Sequence, residues 1–252
     1  MLPPPTPAPP VLRPEAPHRR RTVAVIALTW LVLATLILAA LSLAAHSALY
    51  FGIDLQITRA FQSYRAEWFR LFMAAVSWLG FPPQVNILVV LIFVLLFLAF
   101  SRWKAVSFAF AAAGIAATQL GIKLLVSRPR PSPELVHVVD PSLIGGGMNL
   151  SYPAGHPATA LALFGFLWYL AYTAEKMSRW RTLTLIGLGA LIILMGPSRI
   201  YEGEHWFSDV AAGYLLGSIW LIVTIYFYEW GKARFLVGRA FSGFKWKKQA
   251  GG

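Results

Sequence analysis

Long runs of apolar residues, separated by short polar or proline-containing segments, fill most of the chain. Six of the runs approach the roughly 20 residues with which an α-helix crosses a bilayer. They predict membrane spans at residues 22–45, 83–100, 105–126, 156–173, 182–197 and 206–230. A further apolar segment, residues 68–79, is short and carries Arg70, which favours an interfacial or re-entrant helix over a crossing. The pattern therefore predicts an all-α polytopic membrane protein, a bundle of six transmembrane helices plus a short interfacial helix.

Two segments of different composition flank this bundle. Residues 1–21 are rich in proline and end in three consecutive arginines, which predicts an extended, basic cytoplasmic tail. A basic segment before an apolar run is also typical of signal peptides, but the run from Thr22 is too long for their hydrophobic region, so we interpret it as a retained span. Residues 231–252 form a second basic cytoplasmic tail. One six-span domain, residues 22–230, is thus predicted between the tails.

The amino-acid composition agrees with a membrane protein. Hydrophobic residues make up 58% of the 252 residues and charged residues only 13%, about half of what soluble domains carry. This balance excludes a disordered chain and argues against a soluble globule, because such a chain would expose large apolar patches to water. The lack of cysteine in the sequence excludes disulfides, thiolate metal sites and a cysteine nucleophile.

The net charge of +12 needs its own explanation, since strongly basic proteins often bind nucleic acid. An even number of spans places both termini on one side of the membrane. If that side is the cytoplasm, only seven of the 22 lysines and arginines lie outside, namely Arg59, Arg65, Arg70, Lys123, Arg128, Arg130 and Arg199. This asymmetry follows the positive-inside rule. We therefore expect a multi-pass protein of the cytoplasmic membrane with cytoplasmic termini and no nucleic-acid partner, while the oligomeric state stays open.

Ionisable residues collect where the predicted spans end on the outer side. They are Lys123, Arg130, His156, Arg199, His205 and Asp209. Charged and titratable side chains at membrane depth are costly and usually mark a functional site. Because these span ends lie at one level, the sequence predicts a single active site at the outer face of the membrane.

The spacing of these residues indicates phosphoryl transfer. His205 and Asp209 are four residues apart, so on one helix face Asp209 would accept a hydrogen bond from one ring nitrogen and leave the other as nucleophile or base. His156 follows Gly155 at a predicted helix start, where free amides favour an anion. The three basic residues match the charge that a phosphoryl group spreads over three oxygens.

Three short motifs carry a resemblance to a known family. They are Lys123-x6-Arg130-Pro131, Pro153-Ala154-Gly155-His156 and Ser198-Arg199-x5-His205-x3-Asp209. In this order, at the ends of successive spans, they resemble the three motifs of the type 2 phosphatidic acid phosphatases. These lipid phosphatases share their active site with the vanadium haloperoxidases. The resemblance covers the six-span region, about residues 22–230.

The resemblance implies a role for each matched residue. His205 would attack phosphorus and become a transient phosphohistidine, Asp209 would orient it, and His156 would protonate the leaving oxygen and then activate water. The phosphoryl oxygens would be bound by Lys123, Arg130 and Arg199, with help from the backbone at Gly155, and Ala154 would also line the phosphate site. The resemblance implies neither a metal nor another cofactor.

One position departs from the family pattern. The second motif usually has serine where this chain has Ala154, so one side-chain donor to the phosphate is missing. Loss of a single preorganised donor lowers rates by roughly two to three orders of magnitude unless a backbone amide or a water replaces it.

The expected function is metal-independent hydrolysis of a phosphate monoester or diphosphate on a lipid. Phosphatidate, phosphatidylglycerophosphate and undecaprenyl diphosphate all fit, and the sequence does not separate them. Three alternatives stay open: a lipid phosphotransferase, a membrane transporter and a non-catalytic lipid-binding relative. The collection of the ionisable residues on one side argues against a transporter, whose path would cross the bundle.

Other polar residues near the motifs allow two interpretations each. Arg128 either assists anion binding or is solvated, and Glu202 and Glu204 either tune the site or are exposed without a role. The loop formed by residues 127–152 lies between two motifs and contains three consecutive glycines. We predict that it forms part of a lid or wall over the headgroup site, since loops of this length are often functional.

Overall fold

The computed structural model describes residues 17–139, 150–174 and 178–249, and the side chains of residues 21–234 within these ranges. Most of the predicted N-terminal tail and the three glycines of the predicted lid lie outside the described residues. Every regular element within the described ranges is helical, which confirms the all-α fold class.

The helices follow one another with short connections. They are α1 (Pro17–Ser47), α2 (Gly52–Gln62), α3 (Glu67–Trp78), α4 (Pro82–Leu95), α5 (Arg102–Val126), α6 (Gly155–Thr159), α7 (Gly165–Tyr172), α8 (Arg179–Tyr201) and α9 (Phe207–Gln249). A π-helical turn, Leu96–Phe100, extends α4, and a second one, Ala160–Phe164, joins α6 and α7 into one continuous helix.

Five helical stretches are long and apolar enough to cross a membrane. They are Arg21–Ser47, Pro82–Phe100, Arg102–Val126, Arg179–Tyr201 and Phe207–Arg234. The predicted span at 156–173 corresponds to the joined α6–α7 helix, residues 155–172, which is not among the five. The count of six crossings therefore stays a prediction.

Helix ends and one whole helix differ from the sequence-based expectation. Helix α1 begins before the three arginines, and α9 continues to Gln249, well beyond the predicted span end at residue 230. Arginine, lysine and alanine are good helix formers, so a charged residue can end a span without ending a helix. The short helix predicted at 68–79 is α3, whereas α2 was not predicted, because its sequence lacks a long apolar run.

Helix α9 packs against α1, α5 and α6 in the interior of the bundle. A buried cluster joins Leu38 of α1, Ile115 of α5, Ala158 of α6 and Leu216 of α9. On the side facing α6, a Cβ added at Gly213 or Gly217 would lie within 2.7 Å of a carbonyl oxygen of the α6 segment. Such close backbone contact at small residues is typical of membrane helix pairs, and it fixes the position of α6 relative to α9.

Helices α7 and α8 run antiparallel. Trp168 in the middle of α7 donates a hydrogen bond to the carbonyl of Leu185 in the first third of α8 (3.1 Å). The end of α8 therefore returns to the start of α6. Together with the end of α5 and the start of α9, these helix ends form one end of the bundle, where the candidate site lies.

Candidate active site

The predicted ionisable residues come together at this end of the bundle. Lys123 lies in the last turn of α5, Arg199 in the last turn of α8 and Asp209 in the first turn of α9. His156 is the second residue of α6, and Arg130 and His205 lie in connecting segments. His205 interacts electrostatically with Arg130, Lys123 and Arg199, and His156 with all four of these residues. The cluster that the sequence predicts is therefore present.

A tight turn between α8 and α9 holds His205. The backbone amides of Glu204 and His205 both donate to the carbonyl of Arg199, at 3.1 and 3.4 Å. Gly203 has a φ of +71°, a conformation that side-chain-bearing residues rarely adopt, and a Cβ there would overlap the carbonyl of His137. The turn thus folds His205 back beside Arg199, and the ring lies just ahead of α9 instead of on it.

This placement changes the predicted contact between His205 and Asp209. The imidazole Nδ1 lies 3.8 Å from Oδ2 of Asp209, which is longer than a hydrogen bond. The hydroxyl of Ser151 lies between them, 3.3 Å from Nδ1, and donates to Oδ2. Because His205 precedes the helix, the helical four-residue geometry on which the direct bond was predicted does not apply. Ser151 was missed because nothing in its sequence context distinguishes it from other loop serines.

Arg128 links Asp209 to a second buried carboxylate. Its guanidinium donates to Oδ1 of Asp209 (2.6 Å) and to Oδ2 of Asp54 in α2 (2.9 Å), and all three side chains are fully buried. Asp54 also accepts a hydrogen bond from the amide of Ser208 (2.8 Å). Arg128 is therefore neither solvated nor part of the anion cradle. It neutralises and orients Asp209, and the contribution of α2 through Asp54 was not predicted.

Two glutamates lie against the arginines that were predicted to bind phosphate. Oε2 of Glu204 accepts a hydrogen bond from Arg130 (3.2 Å) and also contacts Nη2 of Arg199. Oε2 of Glu202 accepts hydrogen bonds from Arg199 (2.9 Å) and Ser77 (2.5 Å). Both glutamates are buried, which excludes the interpretation that they are exposed without a role. They offset two of the three positive charges of the cradle.

Several buried nitrogen atoms of the site nevertheless remain without a hydrogen-bond partner within the described part of the chain. They are Nε of Arg130, Nε of Arg199 and Nε2 of His156. A buried polar group without a hydrogen bond is unfavourable by about 1–3 kcal/mol, so an anion that accepts from these groups would be bound favourably. Lys123, the third predicted cation, donates to the carbonyl of Leu150 (2.9 Å).

Burial and nearby charges shift the pKa values of His205 and Glu202 in the turn between α8 and α9. Burial lowers the pKa of His205 well below its ordinary value, and the charges of Arg130, Lys123 and Arg199 lower it further. The ring is therefore neutral at pH 7, as a nucleophile requires. Burial raises the pKa of Glu202, while the neighbouring Arg199 and the hydrogen bond from Ser77 oppose this shift.

Ala154 and Gly155 lie at the start of α6 and differ in what their amides can bind. The amide of Ala154 donates to the backbone carbonyl of Asp209 (3.0 Å), and its methyl group packs with Ile200 and Val210. The amide of Ala154 is thus engaged within the protein, and the predicted phosphate contact at this residue stays a prediction. Gly155 opens the helix, so its amide has no acceptor within α6 and stays a candidate donor.

An apolar cavity of about 330 Å³ adjoins the imidazole of His156. It lies between α4, α5 and α6, and apart from Asn86 and Gln119 near the site its lining is largely aliphatic and aromatic. Gly80, between α3 and α4, borders the same imidazole, and a Cβ added there would overlap the ring. The site thus combines a cationic, buried polar end with an adjoining apolar space.

Comparison with known proteins agrees with this geometry. The sequence pattern of the PAP2 superfamily matches residues 104–233, more than half of the chain. The chain is 26% identical over 176 residues to phosphatidylglycerophosphatase B of Bacillus subtilis. The aligned region covers 69% of this chain and 82% of the relative.

Two solved structures share the fold. One is the transmembrane PAP2-type phosphatidylglycerolphosphate phosphatase of Bacillus subtilis, with a TM-score of 0.67, 22% identity and coverage of 79% of this chain and 96% of that one. The other is LpxE of Aquifex aeolicus, with a TM-score of 0.54, 22% identity and coverage of 69% and 96%. The family match includes all three motifs, so the predicted resemblance is confirmed and the chain belongs to the PAP2 superfamily.

Proposed function

We propose that the protein hydrolyses the phosphate ester or diphosphate of a membrane lipid and that His205 carries the phosphoryl group as a phosphohistidine. The observation that carries this proposal is the state of the His205 ring. Its Nδ1 is engaged by Ser151, its Nε2 has no partner among the described residues, and Arg130, Lys123 and Arg199 surround it with positive charge. A neutral imidazole with one engaged nitrogen is a suitable nucleophile toward phosphorus.

The first step forms a bond between Nε2 of His205 and phosphorus and breaks the bond to the lipid oxygen. His156 donates a proton to that oxygen as it leaves. In the second step His156 accepts a proton from a water whose oxygen attacks phosphorus, the phosphorus–nitrogen bond breaks and inorganic phosphate is released. The cations stabilise the charge that develops on the phosphoryl oxygens in both steps.

A lipid substrate is supported by the surroundings of the site. Three of the helix ends that form it, those of α5, α8 and α9, belong to candidate membrane spans, and the apolar cavity beside His156 offers space for a hydrocarbon chain next to the buried cations. We place phosphatidylglycerophosphate first among substrates, because the relative from Bacillus subtilis carries that activity in its name. Phosphatidate and undecaprenyl diphosphate are the competing candidates, and the site is proposed to face outward.

The test is phosphate release from these three lipids by purified protein in detergent micelles containing EDTA. Wild type is expected to release phosphate, and His205→Ala to lose at least about a thousandfold in rate, as nucleophile variants do. His46→Ala is the matched control, since His46 is an exposed histidine near the same end of the bundle that bonds only the carbonyl of Val126. Its rate is expected to stay within about twofold of wild type.

Labelling separates the mechanism from its rivals. With ³²P-labelled lipid, quenched samples of the wild type should contain an acid-labile, alkali-stable phosphoprotein that His205→Ala lacks. Activity that survives in His205→Ala would show that His205 is not the nucleophile. Activity that EDTA abolishes would contradict a metal-free reaction. Transfer of the label to an added alcohol in preference to water would favour the phosphotransferase.

A further inference from the structure

We propose that Ser151 is a positioning residue for the nucleophile, through which Asp209 acts on His205. This inference rests on the proposed function, in which His205 attacks phosphorus. Asp209 is too far from the imidazole to orient it directly, since 3.8 Å separates Oδ2 from Nδ1. The hydroxyl of Ser151 bridges the gap, with contacts to both groups.

The direction of each hydrogen bond in this chain follows from the donors that are present. Asp209 accepts from Arg128 at one oxygen and from the amide of Trp206 (2.9 Å) and the Ser151 hydroxyl at the other. Because a hydroxyl has one hydrogen and Ser151 gives it to Asp209, its oxygen accepts at Nδ1. His205 is therefore held with its proton on Nδ1 and its lone pair on Nε2, the atom that must meet phosphorus.

The position of the hydroxyl is fixed by the backbone around it. The amide of Ser151 donates to the carbonyl of Arg128 (2.7 Å), and the preceding Leu150 pairs with Pro129 and accepts from Lys123. Ser151 is fully buried, as is Asp209, and the His205 side chain is only 2% exposed. A water is therefore poorly placed to replace the hydroxyl. When phosphorus bonds to Nε2 and the ring gains positive charge, the same chain transmits stabilisation from the Asp209 carboxylate.

The experiment compares the binding of two oxyanions by the full-length protein in detergent, measured by calorimetry. Orthovanadate accepts a fifth ligand as phosphorus does during transfer, so its affinity depends on a well-oriented Nε2, whereas inorganic phosphate requires only the cations. Ser151→Ala is expected to weaken vanadate binding about 10- to 100-fold, the usual range for an orienting partner. Phosphate affinity is expected to change less than about threefold, because the cations that bind it are untouched.

Two further variants separate positioning from packing. Ser107→Ala removes an equally buried hydroxyl, which donates to the carbonyl of Trp103. Ser107 lies about 24 Å along α5 from Lys123, so this variant should leave the ratio of the two affinities unchanged. In an Asp209→Asn background, Ser151→Ala should weaken vanadate by no more than about a further twofold, since the residues act in series.

The outcomes are distinct for the two proposals. Equal weakening of vanadate and phosphate in Ser151→Ala, or full additivity with Asp209→Asn, would overturn the positioning role. A wild type that releases no phosphate from any lipid yet shows the expected vanadate pattern would overturn the proposed function and leave this inference standing. A wild type that binds neither oxyanion would overturn both.

Discussion

Glu204 lies against two of the three basic residues that are proposed to bind phosphate. Its carboxylate contacts both Arg130 and Arg199, and it is buried with them. Glu204→Gln is therefore expected to tighten the binding of inorganic phosphate about tenfold. Removing a negative charge about 4 Å from the ligand is worth up to about 4 kcal/mol at an effective dielectric constant near 20. Loss of the contacts that align the arginines offsets part of this gain.

The measurement is the inhibition constant of inorganic phosphate against lipid hydrolysis, with calorimetric binding as a check. Glu134→Gln makes the same chemical change at an exposed glutamate and should leave the inhibition constant unchanged. Weaker phosphate binding in Glu204→Gln would mean that the carboxylate serves chiefly to hold the arginines in place.

At the scale of single residues, the sequence predicted the charged and titratable residues that are unfavourable at membrane depth. It missed the residues that hold them in position. His156, His205, Asp209 and the three cations were identifiable because charged side chains at membrane span ends need a reason to be there. Ser151 and Asp54 were not, since a serine in a loop and a carboxylate in a polar connection are ordinary in sequence. Only the turn at Gly203, which folds His205 ahead of α9, creates the gap that Ser151 fills.

At the scale of elements, the corner between α3 and α4 supports the site from the side. Phe81 meets the His156 ring edge to face, with centroids 5.4 Å apart, and lies under the guanidinium of Arg199 at 4.9 Å. Gly80 borders the imidazole directly. The apolar pattern predicted a short helix near residues 68–79, but it could not show that the corner after it packs on residues of the candidate site.

Gly80→Ala is expected to lower the rate of hydrolysis at least about 100-fold, because its methyl group would displace His156 and a shift of about 1 Å can have that effect. Substrate affinity should fall less, since the arginines keep their positions. Gly121→Ala in α5 is the control, as its added Cβ would meet no other atom within 4 Å. Full activity in Gly80→Ala would show that His156 can move away without loss and is not the proton donor.

At the scale of the whole molecule, the position of the candidate site bears on the number of membrane crossings. Helix α5 ends at the site and α8 also ends there, so α8 must begin at the opposite end of the bundle. The joined α6–α7 helix starts at the site and ends beside the start of α8. Its 18 residues extend about 27 Å, close to the roughly 30 Å of the hydrocarbon core. Because Lys123, His156 and Arg199 come together at one end of the bundle, we predict that the joined α6–α7 helix makes a sixth crossing.

Labelling of introduced cysteines tests this topology without background, because the chain contains no cysteine. Ser63 between α2 and α3 and Ala174 after α7 are both exposed. In intact cells a membrane-impermeant maleimide should modify Ser63→Cys, whereas Ala174→Cys should react only after permeabilisation, since basic loops face the cytoplasm. Labelling of both cysteines in intact cells would contradict a crossing at residues 155–172. Labelling of Ala174→Cys alone in intact cells would mean that the protein has the opposite orientation in the membrane. Either result would require the cationic site to form differently or to meet its lipid from the cytoplasmic leaflet.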